Sequence, residues 1–315
     1  MNIIKQPNNI KFGIDAAKDF KYPEKSLIVT SKGAFSRGWL NYTSLQNQMC
    51  FNDVEPNPSL NTAEKIISNF KDKDVECVIG LGGGSSLDVA KYVGFKLGKK
   101  KILIPTTFGS GSEVTRISVL MVNGKKTSFH DDNMFADIAI VDPYFIKNTP
   151  QAIIKNSAID ACAQCSEGYD SKNGNVYTKF LCEKAFGILE DAILTENYEK
   201  LALGSLIDGL GFGNSSTTLG HAISYVFSNE GYSHGHALAF TTTISHKFNN
   251  SIFYTRFKKL VEKMEFEKIS LQQDITEAAK TILLDKKHLD NNPINVNQND
   301  IIFLLNKIVN GKVFD

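Results

Sequence analysis

Short apolar runs and amphipathic segments alternate along the first 150 residues of the chain. Residues 62–70 and 87–97 carry apolar side chains at the spacing of helices. Four short apolar runs are typical of buried strands, and these are residues 26–30, 75–80, 101–105 and 136–141. Because strands that alternate with helices form parallel sheets covered on both faces, this region predicts an α/β fold.

The pattern changes after Pro150, where helical spacing continues without a convincing strand. The predicted helices are residues 151–167, 176–194, 198–210, 216–226, 252–264 and 271–284. Residues 287–300 are polar and rich in asparagine, which predicts a loop before a last helix. We therefore expect an α/β nucleotide-binding domain at residues 1–150 and an all-α metal and substrate domain at residues 151–315.

Charge and cysteine content narrow the class of protein. The formal net charge is +1 with no long run of one sign, so neither nucleic acid nor a membrane surface is an expected partner. We expect no signal peptide and no membrane span, because apolar runs of about 18 residues are absent. The five cysteines form no zinc-ribbon pattern, which indicates a reducing, cytoplasmic location. The oligomeric state stays open, with a homodimer as the candidate assembly.

A glycine-rich stretch, Gly80-Leu-Gly-Gly-Gly-Ser-Ser86, follows the second predicted strand and leads into a helix expected to begin near Leu87. Glycines let the backbone approach a ligand, and the positive end of a helix suits a phosphate group. A purely structural turn is the alternative. The spacing matches neither a Walker A loop nor the GxGxxG of the common dinucleotide fold.

A second loop, residues 105–115, follows the third predicted strand and is dense in hydroxyls and glycines. It offers backbone and side-chain donors to a phosphate, a ribose or an amide. Two such loops at the carboxyl ends of neighbouring strands are the pattern of a ligand crevice in an open α/β sheet. The pair is more specific than either loop alone.

These segments together resemble the iron-containing (group III) alcohol dehydrogenase family over about residues 1–245. The matching pieces are Gly82-Gly-Gly-Ser85 with Asp88, residues 105–115, Asp137-Ile-Ala-Ile-Val-Asp-Pro143, Ile159-Asp-Ala161 and residues 221–235. The last piece is most similar to the branch that reduces phosphonoacetaldehyde. The resemblance implies a dinucleotide-binding domain, a helical domain and catalysis in a cleft.

The resemblance also implies a nicotinamide cofactor, NADPH or NADH. The residues implied to hold it are Gly82, Gly83, Gly84 and Ser85 at the pyrophosphate, Asp88 in the same motif, Thr106, Thr107 and Ser112 on the second loop, and Lys126. Relatives that use NAD often carry an acidic residue after the first strand, where this chain has Ser31 followed by Lys32. Because a carboxylate that would repel a 2′-phosphate is missing, we expect NADPH to be favoured.

One aspartate and three histidines hold the divalent metal in this family. Asp160, His221 and His234 match that pattern, whereas Gln164 occupies the place of the remaining histidine. An amide oxygen binds Fe²⁺ or Zn²⁺ less tightly than imidazole. Three interpretations stay open: a metal held by three residues with Gln164 or water, a metal-free site that polarises a carbonyl by hydrogen bonds, or a chain without catalysis.

The implied reaction is hydride transfer between the nicotinamide and a small aldehyde or alcohol. A phosphonate or carboxylate substrate is one candidate, with Arg116 as its anchor. His221 and Tyr225 are the candidate catalytic residues, and Tyr225 stands where many relatives have a second histidine. Its phenol could donate to the substrate oxygen, or simply pack against the cofactor.

Other readings of the chain also stay open. His130, His246 and His288 do not match the family pattern, and we interpret them as structural or surface groups. A lyase similar to dehydroquinate synthase would share the two-domain plan, although residues 105–115 favour the dehydrogenase. A catalytically silent nucleotide-binding homologue would account for Gln164 and for the short C-terminal region.

Overall fold

The structure, a computed structural model, describes residues 2–314 and contains two compact units. One unit is Ile3–Pro150, and the other begins at Gln151 and also includes Asn2. Every strand found among the described residues belongs to the first unit, and the second is built from helices. The α/β and all-α fold classes that the sequence predicts are therefore confirmed.

Eight strands form a six-stranded sheet and a separate hairpin. Their bounds are Asn9–Phe12 (β1), Ser26–Thr30 (β2), Met49–Phe51 (β3), Cys77–Gly82 (β4), Lys100–Pro105 (β5), Ile117–Val122 (β6), Lys125–His130 (β7) and Ile138–Val141 (β8). The sheet has the order β1-β8-β5-β4-β2-β3, and all of its pairs are parallel. The four predicted strands correspond to β2, β4, β5 and β8. The sequence prediction lacks β1 and β3, which are short edge strands without a fully buried residue.

The centre of the sheet contains a topological switch point. The chain leaves β2 toward β3 on one side and leaves β4 toward β5 on the other. Thr30 pairs with Leu81, and Gly82 pairs with Pro105, so the segments that follow these strands emerge at one edge. Ligands of open α/β sheets bind at the carboxyl ends of such strands.

The antiparallel hairpin of β6 and β7 is absent from the sequence prediction. Its turn consists of Asn123 and Gly124, which both have positive φ angles of 50° and 76°. Asn-Gly between two strand-like runs is a strong signal for a two-residue hairpin turn. The sequence therefore contained the information that predicts this hairpin.

The first unit has four helices: Lys32–Ser36 (α1), Trp39–Tyr42 (α2), Leu60–Phe70 (α3) and Gly84–Leu97 (α4). The predicted helix near Leu87 starts earlier, because Gly83 is already the N-cap and the Leu87 N–H bonds to its carbonyl. The sheet strands β2 and β4 are fully buried beneath these helices and the neighbouring strands. The core of this unit is thus the sheet itself.

The second unit contains nine described helices. They are Gln151–Asp170 (α5), Val176–Thr195 (α6), Glu199–Phe212 (α7), Leu219–Asn229 (α8), His234–Phe248 (α9), Tyr254–Met264 (α10), Ile275–Leu283 (α11), Lys286–Asn291 (α12) and Gln298–Val309 (α13). Small buried residues of α5, among them Ala158, Ala161 and Cys162, let it lie at the centre of the bundle. The predicted helix from residue 216 begins at Leu219 instead, because Ser216 has a φ of 65°.

The polar segment 287–300 is only partly a loop, so its prediction is wrong over its first residues. Asp285 caps α12 through a hydrogen bond from the His288 N–H, and His288, Leu289 and Asn291 are buried. The last helix, α13, is confirmed and begins with a capping box at Asn297. No helix within residues 2–314 is both long enough and apolar enough to span a membrane.

Candidate metal and nucleotide-binding sites

The glycine-rich stretch forms the turn between β4 and α4. Gly82 has a φ of 155°, and a Cβ there would lie 2.7 Å from Ser86 Oγ, so a larger residue would be strained. A Cβ at Gly83 would lie 3.1 Å from Thr107 Oγ1. The first turn of α4 carries no acidic side chain and no side-chain cap, which leaves its N–H groups for an anion.

The second loop lies directly against the glycine turn. The Thr106 N–H donates to the Gly82 carbonyl at 2.9 Å, and a Cβ at Gly84 would lie 2.9 Å from Ser110 Oγ. Ser85 lies in the first turn of α4. The structure therefore brings the two loops together at the switch point, as expected for a phosphate-binding cradle.

Asp88 connects the second loop to α4 rather than standing open to a ligand. Its carboxylate accepts hydrogen bonds from Ser112 Oγ at 2.6 Å and from the Val119 N–H at 3.0 Å, and it pairs with Lys91 Nζ at 3.1 Å. Lys91 is itself fully buried and also donates to the Ile117 carbonyl. These bonds favour a supporting role for Asp88, while its direct contact with a cofactor stays a prediction.

The position proposed to set nucleotide preference lies at the end of β2. Ser31 caps α1 by accepting a hydrogen bond from the Ala34 N–H at 3.3 Å. The exposed Lys32 pairs with Asp53 across 2.8 Å. Lys126, also predicted to reach the cofactor, lies on β7 of the hairpin.

Three helices of the second unit bring the predicted metal ligands together. Asp160 comes from α5, His221 from α8, and His234 from the first position of α9. One candidate ligand atom from each lies within 4.8 Å of the others, and this is the only such cluster of three found in residues 2–314. Residues far apart in sequence thus converge on a volume that one ion could fill.

Gln164 lies one helical turn after Asp160, on the same face of α5. Its amide nitrogen donates to Asp160 Oδ1 at 2.9 Å, and its Oε1 is buried without a hydrogen-bond partner among the described residues. A buried amide oxygen left unpaired is costly unless something binds it. The side chain therefore orients Asp160 and presents an oxygen that a cation could take up.

Glu167 holds the ring of His221, an interaction that the sequence reasoning did not include. Its buried Oε2 lies 2.9 Å from His221 Nδ1 and accepts the Thr218 N–H at 2.7 Å. Burial by itself would raise the pKa of Glu167, but these partners lower it to about 2. A Cβ at Gly220 would lie 2.0 Å from Glu167 Oε1, which explains a glycine at that position.

The bond to Glu167 leaves His221 Nε2 buried and without a hydrogen-bond partner among the described residues. A histidine whose one nitrogen is fixed by a carboxylate while the other is unpaired has the arrangement of a metal ligand. The unpaired His221 Nε2 and the unpaired Gln164 Oε1 together indicate that the residues present fit a divalent metal. The donor set, two imidazoles with a carboxylate and an amide, suits Fe²⁺ or Zn²⁺.

Tyr225 lies one turn after His221 on α8 and stacks on His234, with ring centroids 6.0 Å apart and planes 11° apart. Burial, with smaller effects of the Asp285 and Asp160 carboxylates, raises the pKa of its phenol. The phenol therefore stays protonated at neutral pH and can donate a hydrogen bond, but it is a poor base.

His288 is buried beside this group of rings, and its interpretation as a structural or surface group stays a prediction. Its ring centroid lies 6.2 Å from that of His221 and 5.7 Å from that of Tyr225. Burial lowers the pKa of His288, while Asp285 opposes the shift. No motif marks this histidine, because it comes from a polar segment far along the chain.

The other histidines and the paired cysteines lie outside this cluster. His246 is buried and hydrogen-bonds to Ser166 Oγ at 2.8 Å, which confirms a structural place for it. Cys162 and Cys165 are fully buried, and their thiols are not in a disulfide.

A glycine cradle on a parallel sheet and a histidine–aspartate metal cluster on helices define a class of nucleotide- and metal-dependent enzymes. Comparison with known families identifies which one. The iron-containing alcohol dehydrogenase model matches residues 3–143, and the model of the C-terminal part of the Fe-containing alcohol dehydrogenase family matches residues 154–284. The chain therefore belongs to the iron-containing alcohol dehydrogenase family, whose members are oxidoreductases that act on CH–OH groups.

Two individual proteins that are similar to this chain have names consistent with this family. The chain is 34% identical over 204 residues to long-chain-alcohol dehydrogenase 1 of Geobacillus thermodenitrificans, covering 56% of this chain and 52% of that protein. It is 30% identical over 231 residues to 4-hydroxybutyrate dehydrogenase of Clostridium kluyveri, covering 64% of this chain and 60% of the relative. The matches thus span between half and two thirds of these relatives.

A solved structure shows the same fold over nearly the whole chain. Sulfoacetaldehyde reductase from Bifidobacterium kashiwanohense, in complex with NAD⁺, has a TM-score of 0.88 with 23% sequence identity. The match covers 98% of this chain and 99% of that one.

Proposed function

We propose that this protein is a metal-dependent NAD(P) oxidoreductase that interconverts a small primary alcohol and its aldehyde. The observation that carries the proposal is the convergence of Asp160, His221 and His234 within 4.8 Å, with His221 Nε2 buried and unpaired. The glycine cradle at the switch point supports the nicotinamide part of the proposal.

Different residues of the chain have different roles in this reaction. Asp160, His221 and His234 would hold the metal, and Glu167 fixes the ring of His221 through Nδ1, which leaves Nε2 as the ligand atom. When bound, the metal supplies a Lewis acid at the carbonyl oxygen and the nicotinamide supplies the hydride. Tyr225 donates a hydrogen bond to the substrate oxygen from its protonated phenol. Gln164 orients Asp160 and offers its Oε1 as a weak additional ligand.

We further propose NADPH as the favoured cofactor, with NADH accepted. No carboxylate occupies position 31, and Ser31 uses its hydroxyl to cap α1. Lys32 can exchange its exposed partner Asp53 for a 2′-phosphate, since an exposed pair contributes little stability. The measured ratio of kcat/KM for NADPH and NADH tests this preference, and a Lys32→Ala variant should shift it toward NADH.

We also propose that the substrate is small and carries an anionic group. The names of two similar proteins, 4-hydroxybutyrate dehydrogenase and sulfoacetaldehyde reductase, refer to anionic substrates. Arg116 stays the candidate anchor, because its pair with Asp132 at 2.5 Å is exposed and can be exchanged for an anionic group. Comparing 4-hydroxybutyrate with 1-butanol, which differ by the carboxylate, tests the anionic preference.

The deciding experiment follows the absorbance of reduced nicotinamide with a panel of aldehydes, with and without added Fe²⁺ or Zn²⁺. We expect turnover that depends on the metal. Turnover that is independent of metal would remove the Lewis-acid part, and the absence of turnover under every condition would overturn the dehydrogenase.

A catalytically silent nucleotide-binding protein is the second candidate, and Gln164 at a ligand position is the observation that favours it. It predicts nucleotide binding without turnover in the same experiment. A cytoplasmic location and a homodimer also stay proposals. Fractionation of cells and sedimentation of the purified protein, respectively, test them.

A further inference from the structure

His288 and Asp285 form a buried pair beside the metal cluster. His288 Nδ1 donates to Asp285 Oδ2 at 2.6 Å, and the residue is 5% exposed. The contact with Asp285 uses Nδ1 and leaves Nε2 as the other polar atom of the ring. A carboxylate that fixes one nitrogen of an imidazole sets the direction in which the other nitrogen points.

His288 is one of four side-chain rings, each of which lies next to two of the others. Adjacent ring centroids are separated by 5.4 Å for His221 and His234, 6.0 Å for His234 and Tyr225, 5.7 Å for Tyr225 and His288, and 6.2 Å for His288 and His221. Two of the rings belong to metal ligands. The other two, Tyr225 and His288, lie directly beside the rings of these ligands.

The buried position of His288 carries a cost that packing alone does not explain. An apolar side chain would fill this space without a partner, whereas the buried imidazole is paired through Nδ1 with the carboxylate of Asp285. Asp285 also caps α12 through the His288 N–H at 3.3 Å, so ring and backbone are fixed together. An imidazole held in this way is preorganised for a ligand.

We propose that His288, oriented by Asp285, contacts the substrate and accepts a hydrogen bond from it through Nε2. The inference rests on the proposed function and extends it, because it adds a fourth helix, α12, to the substrate side of the metal cluster. The ligand chemistry is a small alcohol whose hydroxyl group donates the bond. His288 is not a metal ligand in this account, since its nitrogens lie outside the cluster that one ion could reach.

The first test compares His288→Leu with His288→Gln. Leucine removes the acceptor, so kcat/KM for the alcohol should fall about 10- to 100-fold. Glutamine restores an acceptor, so it should recover part of that loss. Zn²⁺ affinity and NADPH affinity should stay near the values of the unmodified protein, which a merely structural role for His288 would not allow.

Asp285→Asn is the matched variant for the orienting partner. Asparagine keeps the helix cap and an oxygen that accepts from Nδ1, so the loss should be smaller than for His288→Leu. If Asp285→Asn lowers Tm and metal affinity together with activity, the pair is structural and the proposal is wrong.

A binding measurement separates this proposal from the proposed function. In protein labelled with ¹⁵N-histidine and loaded with Zn²⁺ and NADP⁺, 1-butanol should move the Nε2 resonance that His288→Gln removes. Turnover by the unmodified protein, with no shift and with full activity of His288→Leu, would overturn the role of His288 alone. A shift without any turnover would support the contact and overturn the dehydrogenase. The absence of both would overturn both.

Discussion

The nucleotide cradle and the metal cluster are built in opposite ways. The cradle is made from backbone, at three consecutive glycines whose missing side chains admit Thr107 and Ser110 to close range. The metal cluster is made from side chains of α5, α8 and α9, of which His221 is held by the Glu167 carboxylate and Asp160 by the Gln164 amide. A site made of backbone depends on local conformation, whereas a site made of side chains depends on the packing of distant helices.

This difference predicts that damage to one site leaves the other intact. Each set of residues lies within its own compact unit. Metal affinity and nucleotide affinity can therefore be measured as independent readouts, and the variants below are chosen to test their independence.

The largest effect is expected for His221→Ala. Loss of an imidazole ligand should weaken Zn²⁺ binding by more than about 100-fold, which exceeds the effect of losing an outer partner, and should abolish aldehyde reduction. NADPH affinity should stay unchanged. Isothermal titration of both ligands checks this, with His130→Ala in the other unit as the control. A parallel loss of nucleotide affinity would contradict the separation of the sites.

Glu167→Gln should have the next largest effect. The amide can still accept from the Thr218 N–H, but it loses the charge that fixes the His221 ring, so Zn²⁺ affinity should fall about 10- to 100-fold. Competition against a chelator of known affinity measures the change. An unchanged affinity would show that His221 needs no partner behind it.

Gly82→Ala tests the backbone site. Alanine at a φ of 155°, with its Cβ 2.7 Å from Ser86 Oγ, should cost about 1–3 kcal/mol and weaken NADPH binding without affecting Zn²⁺. Gly187→Ala is the matched control, because a Cβ there meets nothing within 4 Å. It lies within α6, so we expect it to stabilise the protein by about 0.5–1 kcal/mol. Thermal unfolding and fluorescence titration check both variants.

The smallest effect concerns Glu113, a buried residue of the second loop, and the dependence of the free energy of unfolding on pH. Burial raises the pKa of Glu113 from 4.5 to about 7, although the charge of Lys91 opposes the shift. The folded protein thus keeps a proton that the unfolded chain has released, so the free energy of unfolding should fall as pH rises from 4.5 to 7. Glu113→Gln should remove this slope, which is on the order of 1 kcal/mol per pH unit. Denaturant unfolding at several pH values measures it, and an unchanged slope would assign it to other groups.

The same contrast explains what the sequence could predict. The four central strands and the glycine turn are contiguous patterns, so their local periodicity and composition suffice. Asp160, His221 and His234 were predicted only through family resemblance, because no local rule brings α5, α8 and α9 together. Glu167 lies at i+7 from Asp160 on α5 and could have been suspected from helical spacing alone.

His288 shows the limit of that reasoning most clearly. It comes from a polar, asparagine-rich stretch that predicts a loop, and its place beside His221 arises from the packing of the short helix α12. A buried polar network of this kind depends on tertiary structure, which neither propensity nor charge patterning reveals.

Gln164 is the position that most directly tests metal binding by this cluster. The most direct measurement is a Zn²⁺ titration of the chelator-stripped protein, repeated with Gln164→His. We expect one ion per chain in the unmodified protein and binding that is tighter by about 10-fold or more in the variant, because imidazole replaces an amide oxygen. Absence of binding by the unmodified protein, or binding that His221→Ala leaves unchanged, would contradict a metal held by Asp160, His221 and His234.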